Sequence, residues 1–221
     1  MTIEHHQRQA GQILRTAGIL PVVTVDGVEQ AKRLADALLA GGLRSIELTL
    51  RTPVALDALA ALKRELPEIV IGAGTVLTPA QIRQSIDAGA DFLVTPGTPP
   101  ALADALAEAP IPAVPGGATP TEFLALMARG FRVCKLFPAA AVGGVAMLKA
   151  LAGPLARLQF CPTGGIGEGD AAEFLAQPNV LCIGGSWMVP KAWLAAGDYG
   201  KVREASAQAV ALIARIRAGA V

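Results

Sequence analysis

The sequence predicts an α/β protein: a (β/α)8 barrel of the TIM type, one domain over residues 1–221, with an N-terminal lead-in helix. Three observations predict it. Short apolar runs bounded by glycine, proline or aspartate alternate with longer segments of helical period. Strand starts recur at intervals of about 23 residues, which makes about eight strand–helix units. No linker or low-complexity tract divides the chain. Alternating strand and helix implies parallel strands, and so many uninterrupted units favour a barrel over an open doubly wound sheet. The open sheet would need a dinucleotide fingerprint. Gly72-Ala73-Gly74 begins one, but Leu77 stands where its last glycine belongs.

Residues 3–17 read as the lead-in helix. The first strand is expected over 18–25, and Asp26 then looks like the N-cap of a helix over 28–39 that Gly41-Gly42 ends. A strand over 45–50 precedes a helix over 53–66, with Pro53 suited to its first turn. After a strand over 69–73, Thr78-Pro79 opens a helix that Gly89 closes. Further strands are expected at 92–95, 111–114, 133–137, 158–161 and 180–183. Helices fill 100–108, 121–128, 145–151 and 168–176, and a last one runs from 199 to about 217.

Composition excludes several classes of function. The chain has 221 residues, enough for a sizeable core, and a formal net charge of +1. With no basic stripe or acidic tail, neither nucleic acid nor a membrane surface is expected as a partner. The polar start carries His5, His6 and Arg8 and has no apolar signal core, and no run is apolar enough to span a bilayer. A soluble cytoplasmic protein is expected. Cys134, Cys161 and Cys182 lie in apolar contexts without a paired motif, so they read as buried small hydrophobes in a reducing compartment. The only histidines are His5 and His6, which makes a histidine metal site or a Ser-His-Asp triad hard to build; no metal is expected.

The chemistry is read from the C-terminal ends of the strands, where barrels place it. In Val133-Cys134-Lys135-Leu136-Phe137-Pro138 a lysine sits inside a buried strand. Burial disfavours an ammonium and makes a nucleophilic amine available for Schiff bases with carbonyl substrates. The plainer reading is a lysine that snorkels to solvent. On the second strand, period-2 alternation puts Ser45, Glu47, Thr49 and Arg51 on one face and Ile46, Leu48 and Leu50 on the other. The apolar face suits the helices, so Glu47 points inward, towards the lysine. A structural ion pair would explain both, but buried pairs are poor stabilisers.

Glycines crowd three strand ends: Gly72-Ala73-Gly74-Thr75, Pro162-Thr163-Gly164-Gly165-Ile166-Gly167 and Gly184-Gly185-Ser186. One such stretch is as easily a tight turn. Two after adjacent final strands suit an anion, since backbone N–H groups can then approach a phosphate. Thr163 and Ser186 add hydroxyl donors. An amine, a carboxylate, an arginine and a phosphate cradle permit iminium formation on a ketone, followed by cleavage of a C–C bond. The carboxylate would move the protons, and no cofactor is needed beyond a covalent iminium on Lys135.

These residues carry a resemblance. Glu47, Thr49, Leu50, Arg51 and Thr52; Gly72-Ala73-Gly74-Thr75-Val76; Lys135-Leu136-Phe137-Pro138-Ala139; Phe160-Cys161-Pro162-Thr163-Gly164-Gly165-Ile166; and Cys182-Ile183-Gly184-Gly185-Ser186-Trp187 together resemble the 2-keto-3-deoxy-6-phosphogluconate (KDPG) aldolase and 4-hydroxy-2-oxoglutarate aldolase family. The likeness runs from about residue 13 to 199. It implies a class I aldolase of the Entner–Doudoroff pathway that splits a phosphorylated keto acid into pyruvate and glyceraldehyde 3-phosphate, and it implies activity on 4-hydroxy-2-oxoglutarate as well. Lys135 then matches the Schiff-base lysine and Glu47 the general acid/base. Arg51 and Thr75 match residues near the pyruvate carboxylate, with Pro96 and Phe137 beside them. Thr163 matches a substrate-hydroxyl contact, and Gly164, Gly165, Gly184, Gly185 and Ser186 match the phosphate cradle. The family implies a homotrimer.

Gly117, in Pro115-Gly116-Gly117-Ala118-Thr119, departs from the resemblance, which leads one to expect a branched apolar residue there. Two other readings keep the fold: an aldolase for the galactonate epimer, and a non-catalytic phosphate-binding barrel. Thr163 favours the gluconate substrate, because the galactonate-type enzymes resemble one another in carrying a nonpolar residue at that point. A mere phosphate binder would have no reason to bury Glu47 with Lys135.

Overall fold

The computed structural model describes residues 2–219. The lead-in helix α1 (Ile3–Ala17) is followed by alternating strands and helices. The strands are β1 (Ile19–Val23), β2 (Ser45–Thr49), β3 (Val70–Gly74), β4 (Phe92–Val94), β5 (Ala113–Val114), β6 (Gly116–Gly117), β7 (Val133–Leu136), β8 (Gln159–Pro162) and β9 (Ile183–Gly185). Between them lie α2 (Val28–Ala40), α3 (Ala55–Glu65), α4 (Pro79–Asp87), α5 (Pro100–Ala107), α6 (Pro120–Ala128), α7 (Gly144–Ala152) and α8 (Ala171–Leu175). Helices α9 (Lys191–Ala196) and α10 (Tyr199–Arg217) close the chain.

All pairings are parallel. One sheet has six strands in the order β5-β4-β3-β2-β1-β9, and a second has three in the order β6-β7-β8. Only Pro115 separates β5 from β6, and isolated parallel bridges join Phe160 to Val180 and Thr163 to Gly184. The parallel sheet curls so that helices cover its outside. There Leu48, Ile71, Leu93 and Leu136 pack with helix residues such as Leu34, Leu59, Leu102 and Leu126, all buried.

The inside has a separate apolar layer. Leu20, Phe92, Val94, Val114, Val133, Cys161 and Cys182 meet Ala10 and Leu14 of α1. Helix α1 therefore plugs the end where the strands begin, and the burial of Leu14 alone contributes about 2 kcal/mol. Buried Gln7 fixes the plug. Its Nε2 donates to the carbonyl of Ala113 at 2.8 Å, and its Oε1 accepts from the N–H groups of Arg132 and Val133 at 2.8 and 2.9 Å. The opposite end, where the strands finish, is left for the site.

Most expected elements stand within two residues of their expected bounds, and the differences have local causes. Gly27, not Asp26, is the N-cap of α2, and no side chain caps it. Gln30 Oε1 accepts the Asp26 N–H instead. Pro53 lies ahead of α3, whose N-cap is Val54. The last strand begins three residues later than the apolar run 180–183 suggests, because Ile183 is where pairing with Ile19 of β1 starts. Helix α9 was not foreseen; it is a single short turn-and-a-half after Pro190.

Thr78 caps α4 and Pro79 opens it, as expected. Gly117 forms part of β6 opposite Leu136. A β-carbon there would press on the ring of Phe123, which packs edge-on against Phe160 with centroids 5.0 Å apart. The aromatic pair occupies the space that a branched residue would need. All three cysteines are free and buried, and burial pushes the thiols of Cys134 and Cys182 far up, which keeps them inert.

Candidate active site

Lys135 lies third in β7 and Glu47 third in β2. The alternation along each strand turns both side chains to the inside of the curled sheet. Lys135 Nζ donates to both carboxylate oxygens of Glu47, at 2.9 and 3.0 Å. Their side chains are only 4% and 1% exposed. Gly74, on the neighbouring strand, makes room for the pair, since a β-carbon there would collide with the Glu47 carboxyl group. The Phe137 ring lies with its centroid 5.5 Å from the same Nζ. The Phe137–Pro138 peptide bond is cis.

Arg51, just beyond β2, donates from Nε to Thr75 Oγ1 at 3.1 Å. Thr75 adopts φ 58°, a left-handed conformation that a β-branched residue rarely holds. Strain of this kind persists where the surroundings over-determine it, which is common at functional sites.

The other rim is backbone. Gly164 and Gly165 both have positive φ, 99° and 76°. Their chain is held from behind, with the carbonyls of Thr163 and Gly164 accepting from Ala139 and Ala140 at 2.8 and 3.0 Å. Among the described residues, no protein acceptor takes the N–H of Gly164 or Gly165. Gly184 leaves space for the Thr163 side chain, whose hydroxyl lies 3.3 Å from the Cys161 carbonyl.

These groups enclose a cavity of about 250 Å³. Its wall includes Lys135, Arg51, Phe137, Thr163, Gly164, Gly165, Gly184, Gly185 and Ser186, nine of the residues singled out in the sequence. Three others do not reach the wall. Glu47 stands behind Lys135 and Thr75 beside Arg51, while Pro96 presents its backbone to Gly116. The wall also contains residues that sequence reasoning missed: Val22 and Thr24 from β1 and its end, Ile166, and Val189, Pro190, Lys191 and Leu194 around α9. Thr24 could have been found by asking which polar residues end the first strand. Nothing local marks the α9 residues.

A buried amine held on a carboxylate, open to a cavity with an arginine on one side and free backbone N–H groups on the other, can attack a carbonyl and hold an anion away from it. Residues 10–205 match the KDPG and KHG aldolase family, and the chain belongs to that family. The KHG/KDPG aldolase of Escherichia coli (strain K12) is 44% identical over 94% of this chain and 98% of that protein. Two solved structures share the architecture. One is the KDPG aldolase of Legionella pneumophila with pyruvate captured as a covalent carbinolamine intermediate (TM-score 0.88, 41% identity, 90% of this chain and 96% of that one). The other is the 2-keto-3-deoxy-6-phosphogluconate aldolase of Zymomonas mobilis ZM4 with 3-phosphoglycerate (TM-score 0.86, 36% identity, 92% of this chain and 95% of that one).

Proposed function

We propose that the protein is a class I aldolase that cleaves 2-keto-3-deoxy-6-phosphogluconate to pyruvate and glyceraldehyde 3-phosphate, with Lys135 as the nucleophile. The observation that carries this reading is the Lys135–Glu47 pair at the floor of a cavity whose far rim offers unpaired N–H groups. Glu47 takes a proton from Lys135, and the free amine attacks the C2 ketone. Glu47 returns this proton to the carbinolamine hydroxyl, which leaves as water and gives an iminium. Glu47, again a carboxylate, then takes the proton of the C4 hydroxyl. The C3–C4 bond breaks, its electron pair passes into the iminium, and glyceraldehyde 3-phosphate leaves. Protonation of the resulting enamine at C3, then hydrolysis, returns pyruvate and the lysine.

In this reading Arg51, with Thr75 behind it, holds the substrate carboxylate near Lys135, beside Phe137 and Pro96. Thr163 meets a substrate hydroxyl. Gly164, Gly165, Gly184, Gly185 and Ser186 receive the phosphate. The same amine serves 4-hydroxy-2-oxoglutarate, giving pyruvate and glyoxylate, in keeping with the double name of the Escherichia coli relative. Chain continuity through Pro115 and the bridges at Phe160 and Thr163 support the inference that the two sheets belong to one closed (β/α)8 barrel, a single domain. We extend the reading to a homotrimer, as the family resemblance implies, and to the cytoplasm, as composition suggests; sedimentation of the purified protein checks the trimer.

Trapping tests the chemistry. Incubation with pyruvate and borohydride should reduce the iminium to a secondary amine and inactivate the enzyme. Peptide mapping should put the added mass on Lys135 and leave Lys32, Lys63, Lys149, Lys191 and Lys201 unlabelled. Chelator should leave turnover unchanged, because the amine and not a metal activates the ketone. Full activity after trapping, or label spread over the other lysines, would sink the assignment.

A further inference from the structure

We propose that Thr24 is a specificity residue: it accepts a hydrogen bond from the substrate hydroxyl on the carbon next to the phosphate ester. This rests on the aldolase reading above and adds to it a residue and the direction of its bond.

The direction follows from counting hydrogens. A threonine hydroxyl has one hydrogen to give and lone pairs to receive with. The buried Thr49 hydroxyl lies 2.9 Å from the carbonyl of Val23, which can only accept, and its one hydrogen is assigned to that carbonyl. The Thr24 hydroxyl lies 2.8 Å from that of Thr49. Because Thr49 has no second hydrogen, Thr24 is the donor between them. Its own hydrogen is thereby spent inside the wall, and towards the cavity it has only lone pairs to offer.

Thr163 spends its hydrogen in the same way, on the Cys161 carbonyl at 3.3 Å, but the other polar neighbours are donors. Arg51 and Lys135 bring hydrogens, and so do the N–H groups of Gly164 and Gly165. Those donors suit carboxylate, ketone and phosphate oxygens. An acceptor suits a hydroxyl and disfavours every anionic oxygen.

The sheet order says which hydroxyl. Strand β1 lies between β2 and β9, with Val22 opposite Glu47 and Pro21 opposite Gly185. Thr24 therefore stands between the strand of Glu47 and Arg51 and the strand that ends in the glycine rim. In the substrate, the iminium carbon and the phosphate ester are separated by the C3 methylene, the hydroxylated carbons C4 and C5, and the C6 methylene. The C4 hydroxyl yields its proton during cleavage. The C5 hydroxyl keeps its proton throughout and lies beside the phosphate ester, so it is the donor that Thr24 can serve in both substrate and aldehyde product.

The test is Thr24→Val, which keeps the branched shape and removes the oxygen. It orphans nothing, because Thr49 still donates to Val23. kcat/KM for 2-keto-3-deoxy-6-phosphogluconate should fall about 10-fold, the size of one hydrogen bond. For 4-hydroxy-2-oxoglutarate, whose fifth carbon is a carboxylate, kcat/KM should stay within about twofold or rise, since an acceptor facing an anion is lost. Thr24→Ser should restore the preference for the phosphorylated substrate. Equal losses on both substrates, or a Ser variant no better than the Val variant, would overturn the proposal while leaving the aldolase reading intact. A wild-type protein that cleaves neither substrate would overturn the aldolase reading, and Thr24's role with it.

Discussion

Lys63 and Lys135 each grip a carboxylate with a single ammonium. Lys63, near the end of α3, meets both oxygens of Asp91 at 3.0 and 2.9 Å, where β4 begins. Lys135 meets both oxygens of Glu47 at 2.9 and 3.0 Å, where the strands end. The distances are the same and the surroundings are not. Asp91 also accepts the Ile71 N–H at 2.7 Å, and Lys63 also reaches the Ile69 carbonyl at 3.4 Å. That pair ties a helix to the starts of two strands, with its side chains 22% and 32% exposed. The Lys135–Glu47 pair is almost wholly buried, and its side chains bind no backbone group among the described residues. Burying two charges costs more than their attraction returns unless further hydrogen bonds help. On the aldolase reading proposed above, a pair left without such help and set at a cavity is retained for chemistry. Unspent bonding capacity, more than distance, then separates the two pairs.

Activity gives the largest contrast. Lys135→Met removes the amine held on Glu47, and turnover should fall by more than about 10⁴-fold. Lys63→Met should leave turnover within about twofold, because its site is at the far end of the strands. Comparable losses from the two variants, measured in one lyase assay, would erase the distinction. Next comes Glu47→Gln, which should slow turnover by about 10²–10⁴-fold while pyruvate still reaches Lys135. Asp91→Asn should not slow it. Wild-type rates in the Glu47→Gln variant would return Glu47 to a structural role.

Stability should reverse the ranking. Removing both charges with Glu47→Met and Lys135→Met together should give an inactive protein at least as stable as the wild type, since apolar groups replace buried charges well. Asp91→Asn weakens the bonds to Lys63 and to the Ile71 N–H, and should cost about 1–2 kcal/mol by denaturant unfolding. If the double variant proves markedly less stable than Asp91→Asn, the Glu47 pair is a structural device after all.

The sequence was most readable where one residue type was out of place. A lysine in the apolar strand Val133–Leu136 and a glutamate in alternation on Ser45–Thr49 point inward by strand geometry alone, and the structure brings them into contact. The helices were readable where caps are local: Thr78-Pro79 opens α4, and the α10 bounds follow from its period. What was hidden depends on partners distant in sequence. The role proposed for Thr24 depends on Thr49, brought beside it by strand pairing. The start of β9 is set by pairing with β1 and not by the apolar run before it. Helix α9 supplies part of the cavity wall from six residues, too few to show a period. Pro96 was expected near the cavity on resemblance alone, and the structure shows its backbone close to Gly116.

The smallest effect concerns a carboxylate with no cation partner among the described residues. Glu122, in the first turn of α6, accepts from the N–H groups of Ala118 and Thr119 at 3.0 and 2.9 Å and from the Thr119 hydroxyl at 2.7 Å. Thr119 in turn caps the helix, closing a capping box. These bonds, that from Ala118 first, hold the Glu122 carboxyl below its ordinary value of 4.5. A carboxylate whose pKa is lower folded than unfolded adds stability that is complete above the unfolded value. That stability is lost as pH falls through the folded one. Glu122→Gln should therefore lower the thermal midpoint slightly and by a constant amount between pH 6 and 8, worth less than about 1 kcal/mol at this exposed site. Below about pH 4 the two midpoints should converge, because the wild-type group is then neutral as well. Activity should not change. A gap that stays constant into acid, or widens there, would show that the Glu122 bonds do not depend on its charge, and hydrogen bonding alone would then account for the cap.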